Sequence, residues 1–441
     1  MNPPRTGRGR LLLVLALAVA VGAFTATVPL LRDWFDLRVY YGAVNTWIHH
    51  GGRLYDYRVP GTTYGFTYPP FAAVAMLPMA LVGLRTAIAL SLLLNLAALA
   101  LTVHFVTAGA WRRLGWYGCA LAACLLALFE PLRDTFSFGQ VNLLLLALVL
   151  ADGRLLATGR GRWAGVGIGL AAAIKLTPAL FIGLLLLARR RRAAAVATAV
   201  MIAATGLAAL VAPDASRFYW TRALWDTSRV GRLDYVSNQS LQGILARLGE
   251  TDRAVWATAV LLVLGVWAHR TRRALTKGDG AAAFALTGLT ACLVSPITWV
   301  HHLVWLLPAL AVLVRAGHPR IAGALYAVLC TSVVWLWFDD SSGIDGFLGS
   351  NIYAWITLGL LCRLPVGQLP PERASLTRST RSTRATAPAP STAAPETAPA
   401  AGHPDPPSGV TATATGAAAG PGLGLTRSPS NDPTGSTRPT A

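Results

Sequence analysis

Two aspartates that follow the first apolar run are candidates for a catalytic role. Asp33 and Asp36 follow an apolar run that covers residues 11–31. A positioned aspartate can act as a general base, taking the proton of a sugar hydroxyl while that hydroxyl attacks an activated carbon. The alternative is a solvated loop charge or a partner for Arg32 or Arg38, because carboxylates beside arginines are often structural.

A lysine and two histidines are candidates for binding an anion. Lys175 is the one lysine inside an apolar run, and His301 and His302 stand beside another such run. A cation in that place needs water or an anion, and a phosphate would supply the anion. The alternative without a functional role is that the lysine side chain extends to the membrane interface. Adjacent histidines point in different directions, so they are no ready metal pair, and we expect one to bind phosphate or sugar while the other packs.

Aromatic and amide side chains supply candidates for substrate binding. The first loop is rich in tyrosine and tryptophan, including Tyr40 and Tyr68, which can stack on sugar rings or simply line a membrane interface. The amide candidates in two later segments are Gln140, Asn142, Asn238 and Gln239. The 5 cysteines lack the spacing of a zinc site or a disulfide framework, so we predict no metal and no cofactor.

The elements that position these residues are expected to be membrane helices. Only 13% of the 441 residues are charged and 54% are hydrophobic, and the mean hydropathy is +0.51. Apolar runs near the bilayer-spanning length predict an all-α polytopic membrane protein with about eleven to thirteen transmembrane helices. The net charge of +19 lies in short clusters between these runs, so we expect contact with membrane lipids and not with nucleic acid.

Arginine clusters orient the predicted spans, because Lys and Arg accumulate in short cytoplasmic loops. The clusters lie at 112–113, 154–162, 189–192 and 270–277. With these loops and both termini in the cytoplasm, the segments on the extracytoplasmic side are 32–84, 131–137, 213–253 and 338–350. Among the acidic residues before the C-terminal tail, only Asp152 and Asp279 fall on the cytoplasmic side, which agrees with this orientation.

Two apolar segments do not fit as simple spans. Residues 71–83 are too short and follow two prolines, so we predict an interfacial or half-inserted segment. Residues 163–188 have arginine clusters at both ends, which a single span would violate, and two full spans would need more residues. A broken hairpin with its turn at residues 175–178 satisfies both constraints, because Pro178 interrupts the helix.

Composition divides the chain into two parts. Residues 1–365 form the multi-span membrane domain, with a first outer catalytic loop at 32–84 and a second large outer loop at 213–253. Residues 366–441 are rich in Pro, Thr, Ser, Ala and Gly with almost no large apolar side chains. Such a segment cannot bury enough surface to offset its ordering entropy, so we predict a disordered cytoplasmic tail.

Several short motifs follow one another in a recognisable order over residues 30–320. They are DLRVYYGA, the segment from Gly52 to Asp56, FTYPPFAAVAMLP, FGQVNLLLL, GLAAAIKLTPALF, SNQSL and SPITWVHHLVWLLPAL. Taken together, they resemble the polyprenyl-phosphate-mannose-dependent mannosyltransferases of glycosyltransferase family 87, which belong to the GT-C superfamily of membrane glycosyltransferases.

The resemblance implies a GT-C fold and transfer of mannose from polyprenyl-phosphate-mannose to a cell-envelope glycolipid or lipoglycan. The reaction would take place on the extracytoplasmic side of the cell membrane, by an inverting direct displacement that gives an alpha-mannoside. Asp36 would be the base, with Asp33 as backup, and Lys175 with a histidine would stabilise the phosphate charge. The acceptor, the sugar and the choice between a 1→2 and a 1→6 linkage stay open.

A multi-span transporter or flippase of a lipid-linked sugar is the alternative from another class. Many spans with an intramembrane charge suit such a protein as well. Transporters favour paired interrupted helices in two halves of the chain, whereas this sequence shows one interrupted hairpin and strongly unequal loops. We therefore expect a glycosyltransferase.

Overall fold

The computed structural model describes residues 6–27, 33–107, 109–159, 161–250 and 252–367. The α-helices in these ranges are α1 (Gly7–Thr27), α2 (Phe35–His49), α3 (Pro70–Ala75), α4 (Leu84–Val106), α5 (Gly115–Leu128), α6 (Glu130–Phe138), α7 (Asn142–Ala157), α8 (Val166–Ile174), α9 (Leu180–Leu187), α10 (Arg191–Val211), α11 (Pro213–Thr221), α12 (Leu241–Arg247), α13 (Arg253–Thr276), α14 (Gly280–Val294), α15 (Leu307–Arg315), α16 (Pro319–Cys330), α17 (Gly343–Ser350) and α18 (Ile352–Arg363). Short 3₁₀ helices lie at Leu77–Leu81, Ala110–Arg113, Thr177–Ala179, Ala223–Trp225, Thr227–Arg229, Val300–Leu306 and Val333–Trp337. The expected all-α architecture is confirmed.

Within the described ranges, 4 helices are long and apolar enough to cross a membrane. They are Gly7–Ala26, Leu84–Val106, Arg191–Val211 and Arg253–Thr276. Shorter apolar helices accompany them at Thr177–Leu187, Gly280–Val294, Val300–Arg315 and Ile352–Arg363. The polytopic membrane class is therefore confirmed, while the total of about eleven to thirteen spans stays a prediction.

The short segment expected as an outer loop at 131–137 is a helix. Helix α6 follows α5 after a single residue, Phe129, and the two helices are bent by 75°. The break has a local cause. Phe129 is extended, and Pro131 occupies the first turn of α6, where the backbone N–H that proline lacks would have no helical partner. The bend turns α6 away from the axis of α5.

The segment 71–83 does not form one continuous helix, in agreement with the prediction that it is too short to span the membrane. It contains α3 and the 3₁₀ helix Leu77–Leu81, each of which begins with a proline in its first turn. Leu81 is 84% exposed at the end of this segment. Two helices this short cannot reach across a bilayer, which agrees with an interfacial or half-inserted segment.

Residues 163–188 fold as the broken hairpin that the sequence predicts. Gly165 lies against Ala193 and Gly169 lies against Ala197, so α8 and α10 run in the same direction. Helix α9 leads into α10 through a tight turn and packs against it, so α9 runs in the opposite direction. The reversal between α8 and α9 falls at Lys175, which is extended and follows the last residue of α8.

Helix α14 lies at the centre of the membrane domain and is buried along most of its length. Its small residues allow close packing against α9, α13, α15 and α18. Its polar side chains are satisfied internally: Thr287 Oγ1 donates to Ala283 O and accepts the indole N–H of Trp267 at 3.0 Å. The helix ends before Pro296, and the 3₁₀ helix with both histidines follows.

The last described residues are attached to the end of α13. Lys277 Nζ donates to Val366 O, and the backbone N–H of Gly367 donates to a carboxylate oxygen of Asp279 at 2.9 Å. The predicted disordered tail at 366–441 otherwise lies outside the described residues, so it stays a prediction.

The contact between α8 and α10 gives a stability prediction. A Cβ atom added at Gly169 would lie 2.5 Å from Ala197 O and 2.8 Å from the Cβ of Val200. We expect Gly169→Ala to destabilise the protein by about 1–3 kcal/mol, because the packed helices must move apart. Thermal unfolding of the purified protein in detergent measures the effect.

The matched control is Gly206→Ala in α10, where an added Cβ would meet nothing within 4 Å. This change is expected to be neutral or stabilising by up to about 1 kcal/mol, because alanine favours the helix. Equal melting temperatures for both variants would contradict the close packing of α8 on α10.

Candidate active site

The turn before α2 is strained and fixes the place of Asp36. Asp33 and Trp34 both have left-handed backbone conformations, with φ values of 41° and 50°. Such a conformation costs about 1–2 kcal/mol for a residue with a side chain. The backbone N–H of Trp34 donates to Ser137 O at 2.9 Å, which ties the turn to α6. Asp36 therefore enters the first turn of α2 beside the end of α6.

Asp33 and Asp36 have different surroundings. The Asp33 carboxylate pairs with the guanidinium of Arg38 at 2.8 Å and is mostly exposed. The Asp36 carboxylate is partly buried, and its Oδ2 accepts a hydrogen bond from Gln140 Nε2 at 2.5 Å. Of the two expected carboxylates, Asp36 is the one that faces the other predicted site residues.

A glycine allows α6 and α2 to approach each other here. Gly139 has a φ of 70° and ends α6, and a Cβ atom in its place would lie 2.6 Å from the Cβ of Leu37. A larger residue would both strain this turn and push α6 away from α2. The glycine thus lets Gln140, the next residue, reach the Asp36 carboxylate.

Two tyrosines and two amides form a buried cluster around this contact. Tyr68 donates its hydroxyl hydrogen to Gln140 Oε1 at 2.9 Å, and Tyr40 donates to the Tyr68 hydroxyl at 3.2 Å. Asn142 Nδ2 donates to the same Gln140 oxygen at 3.2 Å. With its oxygen accepting twice and its nitrogen donating to Asp36, Gln140 is held in one orientation.

Lys175 joins this cluster from the turn of the broken hairpin. Its Nζ donates to Asn142 Oδ1 at 3.1 Å, lies 2.7 Å from His302 Nε2, and lies 5.3 Å from the centre of the Tyr68 ring. Within the described residues, no carboxylate oxygen lies within 4.0 Å of the amine. Among these residues the lysine thus has polar and aromatic neighbours but no ion pair, and a buried cation of this kind is a candidate for binding an anion.

The two histidines face different neighbours, as expected for adjacent residues. His302 Nδ1 accepts the backbone N–H of Trp299 at 3.0 Å, which turns the other ring nitrogen toward Lys175. The ring of His301 packs edge-on against Phe138 with a centroid distance of 5.2 Å. His302 is therefore the histidine in contact with the lysine.

The environment of Asp36 suits a proton acceptor. Asp36 lies outside the helices that could span the membrane. Burial raises the pKa of its carboxyl group from 3.8 to about 6, while the hydrogen bond from Gln140 and the charge of Lys175 act in the opposite direction. At neutral pH this group is ionised yet more basic than a solvated aspartate, as a general base requires.

Asn238 and Gln239 lie elsewhere and hold the backbone of distant segments together. Asn238 Oδ1 accepts the backbone N–H of Thr298 at 2.9 Å. Gln239 Nε2 donates to Ser350 O at 2.7 Å, and its Oε1 accepts the backbone N–H of Ala354 at 2.9 Å. Both side chains are fully buried, so the structure does not bring them into the cluster around Asp36.

The sequence interpretation missed the residues that line a small cavity beside Lys175 and His302. The lining includes Cys292, Ser295, Thr298 and Trp305. The signal was present in the segment SPITW, because a proline directly after an apolar helix indicates a break at which polar groups become available. In the described part of the chain, no group of three or more His, Cys, Asp or Glu residues could hold a metal ion.

Comparisons with known proteins point to one family. The model of glycosyltransferase family 87 matches residues 66–296. A polyprenol-phosphate-mannose-dependent alpha-(1-2)-phosphatidylinositol pentamannoside mannosyltransferase of Mycobacterium tuberculosis (strain CDC 1551 / Oshkosh) is 34% identical, with 76% of this chain and 80% of the relative covered. A polyprenol-phosphate-mannose-dependent alpha-(1-2)-phosphatidylinositol mannoside mannosyltransferase of Mycolicibacterium smegmatis is 36% identical, with 66% and 68% covered. No solved structure matches the chain.

The contacts of Gln239 predict a large effect on stability. Gln239→Leu leaves the carbonyls of Val236 and Ser350 and the N–H of Ala354 without their partner. Each unsatisfied buried group costs about 1–3 kcal/mol, so we expect a clear fall in the melting temperature. The control is Gln242→Leu three residues on, because the side-chain oxygen of Gln242 is buried without a hydrogen bond. Parental thermal stability of Gln239→Leu would refute the structural role.

Proposed function

The chain belongs to glycosyltransferase family 87, and we propose that it transfers mannose from polyprenyl-phosphate-mannose to a phosphatidylinositol mannoside or a related envelope glycolipid or lipoglycan. It is a membrane glycosyltransferase of the mannosyltransferase class. The observation that carries the proposal is the single network from Asp36 through Gln140 and Asn142 to Lys175, which joins a base to a cation.

Asp36 is the proposed base for the acceptor hydroxyl. Its carboxylate has one oxygen hydrogen-bonded to Gln140, and that contact holds the group in a fixed position. The hydroxyl oxygen attacks C1 of the mannosyl donor while its proton passes to the carboxylate. Asp33 is the backup, but its carboxylate is exposed, pairs with Arg38 and has no contact with Gln140.

Lys175 and His302 are the proposed partners of the donor phosphate. As the bond between C1 and the phosphate oxygen breaks, the electron pair stays on that oxygen and the phosphate gains negative charge. A cation and a hydrogen-bonding ring placed beforehand stabilise this charge most strongly in the transition state. His301, which the sequence also suggested, packs edge-on against the rings of Phe138 and His302.

We infer one displacement without a covalent intermediate. The base and the phosphate partners are separate groups, joined through Gln140 and Asn142, so one can act on the attacking hydroxyl while the other acts on the departing phosphate. Such a displacement inverts the configuration, and a β-linked mannosyl phosphate would give an alpha-mannoside. We assign the sugar-facing positions to Tyr40, Tyr68 and the two amides, while Asn238 and Gln239 hold the surrounding backbone.

The placement of the site along the helices supports an extracytoplasmic reaction. Asn142 begins α7, and Arg154 lies about 18 Å further along the same helix axis. Lys175 ends α8, and the arginines before α10 lie at the opposite end of that hairpin. If the arginine clusters and both termini are cytoplasmic, as the charge distribution predicts, the catalytic cluster faces the other side of the membrane.

The assignment of the base predicts the effect of Asp36→Asn. Asparagine keeps the size of the side chain and accepts the hydrogen bond from Gln140, but it cannot take the proton of the acceptor. We expect a loss of about 10²- to 10⁴-fold in turnover, the usual contribution of a general base. The assay is transfer of labelled mannose from polyprenyl-phosphate-mannose to phosphatidylinositol mannoside by the purified enzyme.

The matched control is Asp33→Asn, which removes a carboxylate three residues away and should leave turnover within a few-fold of the parent. Melting temperatures of both variants exclude a folding defect. Near-parental turnover of well-folded Asp36→Asn would reject Asp36 as the base.

The raised pKa of Asp36 predicts an acid limit of activity. Because the base must be ionised, turnover should fall as the pH drops through about 6. The hydrogen bond from Gln140 lowers this pKa, so Gln140→Leu should raise it further and move the acid limb toward higher pH. Turnover measured between pH 4.5 and 8.5, which brackets the value of about 6, tests both statements. An acid limb that does not move in Gln140→Leu would mean that another group controls it.

A further inference from the structure

Two arginines outside the proposed catalytic cluster converge on one backbone carbonyl. Arg58 donates to Tyr55 O at 2.9 Å, and Arg229 donates to the same oxygen at 2.7 Å. The guanidinium of Arg229 also lies over the ring of Phe218 at 5.2 Å. Two positive charges that share one neutral acceptor repel each other, so an additional anion would stabilise the pair.

The described residues do not neutralise this pair by direct contact. Neither guanidinium has a carboxylate oxygen within 4.0 Å in the described part of the chain. Asp56 and Asp226 act on Arg229 only at longer range, and Asp226 accepts hydrogen bonds from Ser228. The Nε atom of Arg229 is buried and has no hydrogen-bond partner. An unmet buried donor on a charged group is costly, and an anionic oxygen would satisfy it.

The pair lies next to the catalytic cluster. Tyr55 carries the shared carbonyl, and its hydroxyl donates to Tyr68 O at 2.7 Å, so one residue connects the arginines to the cluster. The loop of Arg229 continues to Gly231, which lies against the indole of Trp299, the residue whose backbone orients His302. The arginine pair is therefore beside the cluster but separate from Lys175, the proposed partner of the donor phosphate.

We propose that Arg58 and Arg229 bind the phosphodiester group of the acceptor lipid. The inference rests on the proposed function, in which each of the two lipid substrates carries a phosphate. Planar guanidinium groups suit a phosphodiester because they donate two parallel hydrogen bonds. The acceptor phosphate is remote from the reacting sugar hydroxyl, which agrees with an anion site one tyrosine away from the network of Asp36.

The test compares two acceptors in the full-length purified enzyme. One is phosphatidylinositol mannoside, and the other is a neutral alkyl mannoside without a phosphate. Arg58→Gln and Arg229→Gln should each raise the KM for phosphatidylinositol mannoside by about 10- to 100-fold, the loss of a charge-assisted contact. The KM for the donor and the kcat/KM for the neutral acceptor should stay within a few-fold of the parent.

The matched control is Arg222→Gln, because Arg222 is an exposed arginine just after α11 and is not one of the two arginines that donate to Tyr55 O. It should leave the preference between the two acceptors unchanged. Inorganic phosphate should compete with phosphatidylinositol mannoside in the parent and less in both variants. Competition by inorganic phosphate without any loss of lipid preference in the variants would assign the site to free phosphate and overturn the acceptor proposal.

Equal losses with both acceptors would also overturn it, because they would show that the arginines only tie the loops together. Arg58→Lys and Arg229→Lys retain the charge, so they should keep part of the preference for phosphatidylinositol mannoside over the neutral acceptor. They replace the glutamine variants in the test if those fold poorly. Transfer by the parent to neither acceptor would reject the proposed function itself, which separates that failure from a failure of the anion site.

Discussion

The hydrogen bond from Gln140 to Asp36 is the interaction on which the proposed active site depends. It joins the first turn of α2 to the end of α6, and it requires both the strained turn at Trp34 and the glycine at position 139. The amide oxygen of the same glutamine accepts from Tyr68 and Asn142, so the orientation of one side chain sets the position of three others. Without this contact, no chain of hydrogen bonds would connect the Asp36 carboxylate to Lys175.

The apolar surroundings explain why so many of the polar side chains have several partners. A polar group that leaves water must find its hydrogen bonds within the protein, and the cost of failure is largest where water is scarce. Gln239 and Thr287 satisfy this requirement far from the site, while Gln140 and Asn142 satisfy it around Asp36. The same constraint therefore produces both structural connections and a rigid site, and residue type alone does not distinguish them.

This constraint also explains how far the sequence could predict the molecule. Charge and hydropathy predict the all-α membrane class, and the break at Pro178 predicts the hairpin, because both depend on local composition. The contact between Asp36, Gln140 and Lys175 joins residues far apart in the chain, and no local pattern encodes it. The sequence makes Gln239 a candidate for substrate binding, because a glutamine that binds sugar and one that binds the backbone look alike in sequence, and only the structure shows its contacts with Ser350 and Ala354.

The two proposed phosphate sites use different cations, and the chemistry gives a reason. The donor phosphate changes from a diester to a monoester as C1 departs, so its charge grows during the reaction. A lysine beside it, which donates to Asn142 and lies next to His302, contributes more in the transition state than in the ground state. The acceptor phosphodiester keeps its charge throughout, so Arg58 and Arg229 would contribute equally to both states. Such uniform binding improves affinity and selection of the acceptor without altering the chemical step.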